Sequence, residues 1–431
     1  MRTTTLPLLM GLISATLAHA QEAGAPAPST PPTGAAPAPA PASASPRTEE
    51  RSPFVFGIRQ GLVGESNLFR APEGSGQVER DRIWSSGVHL GIDKSIGRQH
   101  FFVDVQANAN RYRNNEQLNH TDYSADARWD WETAGSLSGA LSAQQRQRLY
   151  RDTVNGTISL ARNQVRSTAL GVQARVGTVG LWSFEAGATA SDDNYIGEDV
   201  DDRDMRQTSI NGGVRYRPSS SLSTRLGVRR SEGRYPNIAA AEPDEFTRDD
   251  IDLITNFTAS GASSLNTRIS ATRERHTTQT QRDNRGWTGA VGWLWRPTGK
   301  LTTDLDLSHD RSVGRTDFDS TLVAGDSSDS RSVDAATLAI TWAATAKISI
   351  VPRVSYARRK LDNSIPNGGV TTATGTDATT IGGIGFTYIP ISALTLGCQV
   401  SHEKRRVSGA PGLSSPYTAT VGGCTAEFAI R

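Results

Sequence analysis

The chain carries almost no net charge, few sulfur-containing residues and no long apolar run beyond its first residues. A formal charge of +2 across 431 residues argues against a nucleic-acid binder, which would show a basic patch or a known module. No stretch after the N-terminus approaches the roughly 18 apolar residues of a membrane-crossing helix. The seven histidines are scattered without metal-ligand spacing. Ser401-His402 is a lone dipeptide, and no acid stands at a position that would complete a catalytic triad with it. No catalytic, metal or cofactor residue is therefore assigned, and the chain reads as a non-enzyme.

The N-terminus is compositionally distinct. Residues 1–20 combine Arg2, an apolar core over Leu6–Leu17 and the small-x-small site Ala18-His19-Ala20, the pattern of a cleaved export signal. No cysteine follows the site, which argues against a lipoprotein. Residues 21–52 are dominated by Ala, Pro, Ser, Gly and Thr. Such a segment buries no core and is expected to be an extended or disordered periplasmic spacer, or a docking segment for a periplasmic partner. The remaining unit is 53–431.

What that unit does have is period-two alternation. In Trp287–Arg311, Trp287, Val291, Trp293 and Trp295 are evenly spaced, followed by the polar turn Arg296–Lys300. Leu301, Thr303, Leu305 and Leu307 then alternate with Thr302, Asp304, Asp306 and Ser308. Successive side chains of a strand point to opposite faces, so one face is apolar and the other acidic. Comparable second strands begin near Phe101, Leu137, Leu181, Leu222, Leu265, Leu301, Ile348 and Leu394, every 36 to 47 residues. Each period holds two strands of about ten or more residues, the length of a tilted membrane-crossing strand.

Short connections alternate with long polar ones, among them 71–81, 150–163, 192–206, 312–331 and 361–377. Short turns on one side and long loops on the other are the pattern of an outer-membrane barrel. The expected fold is all-β: a transmembrane antiparallel up-and-down β-barrel of about 18 strands, with 16 as the alternative. Burying the charged second face in a packed sandwich would cost several kcal/mol per unpaired charge; a wet lumen removes that cost. Candidate lumen-lining residues are Arg215, Arg217, Asp252, Asp304, Asp306 and Arg353. The eight tryptophans lie in strands, mostly close to the short turns, as an interfacial girdle would.

Arginines gather where strands enter the long loops. In adjacent pairs such as Arg229-Arg230, Arg358-Arg359 and Arg405-Arg406, one member must face outward. There it meets outer-membrane lipid and lipopolysaccharide phosphates; the inward member meets carboxylates or an anionic permeant. The acidic run Glu198–Asp204 lacks the glycine of a calcium loop and reads as solvated. Cys398 and Cys424 lie symmetrically about residue 411. In a hairpin they would stand opposite each other on the face of Leu394, Leu396 and Phe428. An oxidising periplasm permits a disulfide between them, and a free lipid-facing pair is the alternative.

The stretches SNLFR (Ser66–Arg70), RWDWE (Arg128–Glu132), RYRP (Arg215–Pro218), GRYPN (Gly233–Asn237), WLWRPTGKL (Trp293–Leu301) and WAATAKI (Trp342–Ile348) carry a family resemblance. Together they resemble the EpsL-type outer-membrane barrels of the β-barrel porin 2 group, encoded with exosortase-linked exopolysaccharide gene clusters. The resemblance covers roughly 52–431. It implies a cell outer-membrane location and a role in export or assembly of extracellular polysaccharide, with exopolysaccharide and periplasmic export or synthesis components as partners. One departure is the C-terminus, Phe428-Ala429-Ile430-Arg431, where such barrels tend to end in an aromatic residue. The leading expectation is a passive polysaccharide pore. The alternatives are a general or small-solute porin, which a long inward-folded loop would favour, and a non-conducting assembly barrel that docks a periplasmic partner.

Overall fold

A computed structural model of the chain describes residues 52–430, apart from 151–152, 155–156, 159–160, 178–179, 198–202, 238–242, 279, 281–282, 312–329, 365–371 and 410–413. The expected signal, nearly all of the spacer, most of the acidic run from Glu198, nearly all of loop 312–331 and the stretch 365–371 of loop 361–377 fall outside the described residues.

Eighteen strands close into one antiparallel sheet. The first wall is β1 (Phe54–Glu65), β2 (Asp81–Ile96), β3 (Gln99–Tyr112), β4 (His120–Glu132) and β5 (Leu137–Tyr150). The two-residue β6 (Thr153–Val154) and β7 (Thr157–Ile158) pair only with each other. The barrel resumes with β8 (Asn163–Val176), β9 (Trp182–Ile196), β10 (Met205–Tyr216), β11 (Leu222–Tyr235), β12 (Asp244–Ser260) and β13 (Ser263–His276). It continues through β14 (Asn284–Thr298), β15 (Leu301–Asp310), β16 (Ser330–Ala343) and β17 (Ile348–Ser364). It ends with β18 (Thr372–Ile391), β19 (Leu394–Gly409) and β20 (Tyr417–Ile430). Each barrel strand pairs with the next, and β20 pairs with β1 from Phe56↔Ile430 to Glu65↔Val421. Closure leaves no strand edge with unpaired backbone groups, the condition for a sheet in lipid.

Polarity is inverted relative to a soluble protein. On β11, Leu226 is 59% exposed and Val228 60%, whereas Arg225, next to Leu226 on the opposite face, is 7% exposed. The same alternation holds around the barrel: Ile210, Ile251, Leu253, Ile269, Val354 and Val400 point outward and are exposed. An apolar exterior and a polar interior are stable only when lipid is outside and water inside. We expect Leu226→Arg to destabilise the inserted barrel by about 2–4 kcal/mol, read by urea titration in phospholipid vesicles. A loss below about 1 kcal/mol would contradict a mid-belt, lipid-facing position.

Connections on one side are short and those on the other long. Gly97-Arg98 joins Ile96 to its partner Gln99 in two residues. Gly97 has φ 60° while Arg98 stays negative, the arrangement of a type II′ turn, in which glycine accommodates the first central position at no steric cost. Aromatic residues form two rims. Trp129, Trp182, Trp295 and Trp342 lie near the short turns, but Trp84 and Trp287 lie at the long-loop end, because a membrane has two interfaces and both favour amphipathic rings. Pro352 points outward, and the β16–β17 ladder skips from Ala339↔Arg353 to Trp342↔Ile350. Proline has no ladder donor, and its pairing on the other side, Pro352↔Ile384, continues.

Cys398 and Cys424 are direct cross-strand partners in β19 and β20 and are joined as a disulfide with a Cα–Cα distance of 4.0 Å. Both point to the exterior, on the face of Leu394 and Phe428. The bond ties the terminal strand, whose other neighbour is β1, to the body of the sheet. Cutting a loop of this size is expected to release about 3 kcal/mol of unfolded-state constraint. Cys398→Ser should therefore unfold in less urea than the oxidised wild type and match the reduced wild type. Identical midpoints with and without reductant would contradict this.

Candidate functional site

The inner wall is the candidate site. Strand parity places Arg215 on β10, Asp252 on β12, Asp304 and Asp306 on β15 and Arg353 on β17 on the lumen face, and Arg217 follows at the short-turn mouth. These residues do not converge on one point; they are spread over half the circumference. Asp304 and Asp306 are exposed, which on the inner face of a closed barrel means contact with lumen water.

The register gathers the inner charges into separate clusters. Glu185 on β9 is the hub of one. Arg215 donates from Nε to Glu185 Oε1 at 2.6 Å and from Nη2 to Oε2 at 3.1 Å. Arg175 Nε lies 2.7 Å from Oε1, and Arg225 Nε lies 2.9 Å from Oε2. One carboxylate thus faces three guanidinium groups. Arg225 runs flat over Gly213 and Gly227, which are cross-strand partners; a Cβ there would meet it at 2.9 and 2.7 Å respectively. Any larger residue at either position would displace the arginine.

A second cluster joins Arg59 and His89 to Glu427 and Asp104. Arg59 Nη2 lies 2.9 Å from Glu427 Oε2, and His89 Nε2 lies 2.7 Å from Asp104 Oδ2. A third holds Asp250 between Arg229 (2.9 Å), Arg248 (3.3 Å) and the donating hydroxyl of Thr272 (2.6 Å). Beside it, Ser270 donates to Asp252. In all three, burial of a charge is offset by an opposite charge at hydrogen-bond distance, which is the condition for keeping ions inside a barrel wall.

The adjacent arginine pairs split as their parity requires. Arg229, Arg359 and Arg405 point inward, and Arg230, Arg358 and Arg406 point outward. Arg359 clamps Asp377, donating from Nε to Oδ1 at 3.0 Å and from Nη2 to Oδ2 at 2.5 Å; Ser414 donates to the same carboxylate at 2.7 Å.

The long connection after β1 does not run outside the barrel from residue 71. It begins at Ser66, and its first part folds onto the inner wall at the long-loop end. Leu68 and Phe69 pack with inward Val63, Ile83, Tyr112 and Val421 in one buried apolar cluster. Asn67 donates from Nδ2 to the carbonyls of Ala71 (2.8 Å) and Thr418 (3.0 Å) and accepts from the Ala71 N–H (2.9 Å). Arg70 reaches Glu65 on β1 (2.7 Å) and Glu403 on β19 (3.1 Å). Its φ of 51° is left-handed, the only such non-glycine value among the described residues. That conformation costs of order 1 kcal/mol and persists because the surrounding contacts hold it. Burial opposes the guanidinium charge, but Glu65 and Glu403 outweigh it and hold the group more firmly protonated than a free arginine.

Glu185 and Arg70 were not singled out from the sequence. Glu185 does sit at a polar position of the alternation Trp182-Ser183-Phe184-Glu185. Its importance comes from register, which brings Arg175, Arg215 and Arg225 to it from three strands. Lumen and lipid faces are separable by thiol labelling. In a Cys398→Ser/Cys424→Ser background, Asp304→Cys and Asp306→Cys should react with a membrane-impermeant reagent, and Leu305→Cys only with a lipid-soluble one. Equal labelling at 304 and 305 would contradict the face assignment.

No protein-family model matches the chain, and no curated protein does. Solved structures similar to it are membrane barrels. The FrpB iron transporter from Neisseria meningitidis (F5-1 variant) is 12% identical with a TM-score of 0.48, covering 84% of this chain. This chain spans only 64% of that one, less than two thirds of its length. The outer membrane protein opdK from Pseudomonas aeruginosa is 12% identical with a TM-score of 0.47, covering 88% of this chain and 98% of its own. OccK2 (OpdF) of the same organism, solved in complex with glucuronate, gives 12%, 0.48, and the same coverage of 88% and 98%. The architecture rests on the strand pairing and on the apolar exterior: the chain is a closed 18-stranded antiparallel β-barrel of the transmembrane kind.

Proposed function

We propose that the barrel is a passive outer-membrane pore for small hydrophilic solutes. The observation that carries this reading is the segment Ser66–Ala71, folded onto the inner wall at the long-loop end and fixed there by Arg70 and Asn67. It narrows the lumen at one end while Asp304 and Asp306 on β15 remain in contact with water. A barrel of this strand number encloses an aqueous channel, and an inward segment sets the size of what passes. The lining carries both signs, so it does not impose one dominant charge on the permeant. Short turns are assigned to the periplasm and long loops to the cell surface, which puts both barrel termini on the periplasmic side.

The same observation weighs against the polysaccharide export implied by the EpsL resemblance, since a polymer would emerge through the end that Ser66–Ala71 narrows. Liposome swelling tests the choice. Vesicles containing the folded barrel should swell in monosaccharides and disaccharides and not in long oligosaccharides. Deleting the gene should leave surface polysaccharide unchanged; its loss would restore the export reading.

A further inference from the structure

We propose that the outer rim of β17–β19 is a seat for the phosphate of a phosphorylated outer-leaflet lipid headgroup. Four cations point outward there: Arg358 and Lys360 on β17, and Lys404 and Arg406 on β19. They form two banks. Between them runs β18, whose outward residues at this level are small: Thr376, Ala378 and Thr380. The register is close to symmetrical. Arg358 and Arg406 both stand opposite Ala378, one on each side. Lys360 stands opposite Thr376 and Lys404 opposite Thr380. Two interstrand spacings separate the banks, about 10 Å between backbones. Arginine and lysine side chains from both sides span that gap over a small-residue floor, so one phosphate group between them receives donors from both banks.

Charge balance distinguishes this rim from that of β10 and β11, although Asp334 on β16 stands opposite Arg358, where it pairs with His309 (2.6 Å). The inward neighbours face a carboxylate: Arg359 pairs with Asp377, and Arg405 lies 4.0 Å from the same group while donating to the Thr379 hydroxyl at 2.9 Å. The outward arginines of β10 and β11, by contrast, have outward acids beside them: Arg206 with Asp192 (3.7 Å), Arg230 with Glu232 (3.1 Å) and Asp249 (3.8 Å), and Arg234 with Glu245 (3.8 Å). Among the described residues, no carboxylate lies within ion-pair distance of Arg358, Lys360, Lys404 or Arg406. Four cations without an acid at ion-pair distance, on the two strands that flank β18, are unfavourable by themselves and become favourable with an anion among them.

The occupant is a lipid because of what lies directly below. Tyr356, Val354, Ile384 and Val400 continue the same outward face towards the barrel middle, and all are exposed. A headgroup phosphate at the cationic rim therefore places its acyl chains along this apolar belt. A soluble anion would use the rim and leave the belt untouched.

The test uses the full chain folded into vesicles containing diphosphorylated lipid A, and separately its dephosphorylated form with the same acyl chains. After mild detergent extraction and chromatography, bound lipid per barrel is measured. We expect at least tenfold greater retention of the phosphorylated lipid. Millimolar inorganic phosphate should not displace it, whereas displacement by phosphate alone would assign the site to a free anion and overturn the lipid reading. R358S/K360S/K404S/R406S should abolish the preference, and R206S/R230S/R234S should keep it. Equal retention of the two lipids by the wild type overturns the proposal without any variant. So does an unchanged preference in a quadruple variant that shows the heat-modifiable band of a folded barrel.

Discussion

Replacing Arg70 by methionine should destabilise the barrel by about 3–5 kcal/mol and raise its single-channel conductance. The guanidinium is the shared partner of Glu65 (2.7 Å) and Glu403 (3.1 Å) and also donates to the Asn67 carbonyl at 2.8 Å. Tyr417 donates its hydroxyl to Glu403, and the Arg405 guanidinium lies 4.9 Å from the Tyr417 ring. Removing Arg70 leaves two buried carboxylates without their main counter-charge, and breaking a buried pair from one side carries a penalty of about 3–5 kcal/mol. The second effect follows from position. Arg70 ties Ser66–Ala71 to strands on both sides of the β20–β1 closure, and without it the segment is free to leave the wall. Arg70→Lys keeps the charge but not the planar fork, so it should fall between wild type and Arg70→Met. Urea titration in vesicles and single-channel recording measure the two effects. Wild-type conductance and a midpoint shift worth less than about 1 kcal/mol in Arg70→Met would show that the segment is held by its apolar contacts alone.

Glu185→Gln should be comparably damaging, again about 3–5 kcal/mol, because it leaves three guanidinium groups crowded on one stretch of wall. The diagnostic is non-additivity. Arg225→Gln in the Glu185→Gln background removes one of the unopposed cations and should recover part of the loss, giving a coupling above about 1 kcal/mol. Additivity within about 0.5 kcal/mol would mean that lumen water and counter-ions already screen the cluster. Raising chloride should stabilise Glu185→Gln more than wild type, since an anion can take the place the carboxylate held.

The barrel was legible in the sequence because strand period, apolar face and turn length are local properties. In Trp287–Arg311 the alternation of Leu305 with Asp304 and Asp306 is enough to assign the two faces, and the register Trp293↔Leu305 agrees with it. The symmetry of Cys398 and Cys424 about their loop located a cross-strand pair for the same reason. The inward fold of Ser66–Ala71 was not legible. A six-residue stretch with no alternation has no period to read, and its contacts are distant in the chain: Thr418 lies 351 residues from Asn67, and Glu403 lies 333 from Arg70. The cluster around Glu185 was half legible. Parity put it on the inner face, but only the register across β8, β9, β10 and β11 shows that three arginines share it. The two aromatic rims were read as one because proximity to the short turns dominates the tryptophan positions, and Trp84 and Trp287 break that pattern.

The central claim is that the lumen conducts. Single barrels, verified as folded by their heat-modifiable mobility, are to be recorded in a planar bilayer in simple salt. The account predicts stepwise currents proportional to voltage, reduced by neutral polymers small enough to enter and unaffected by larger ones. A folded, inserted barrel that passes no measurable current would contradict it.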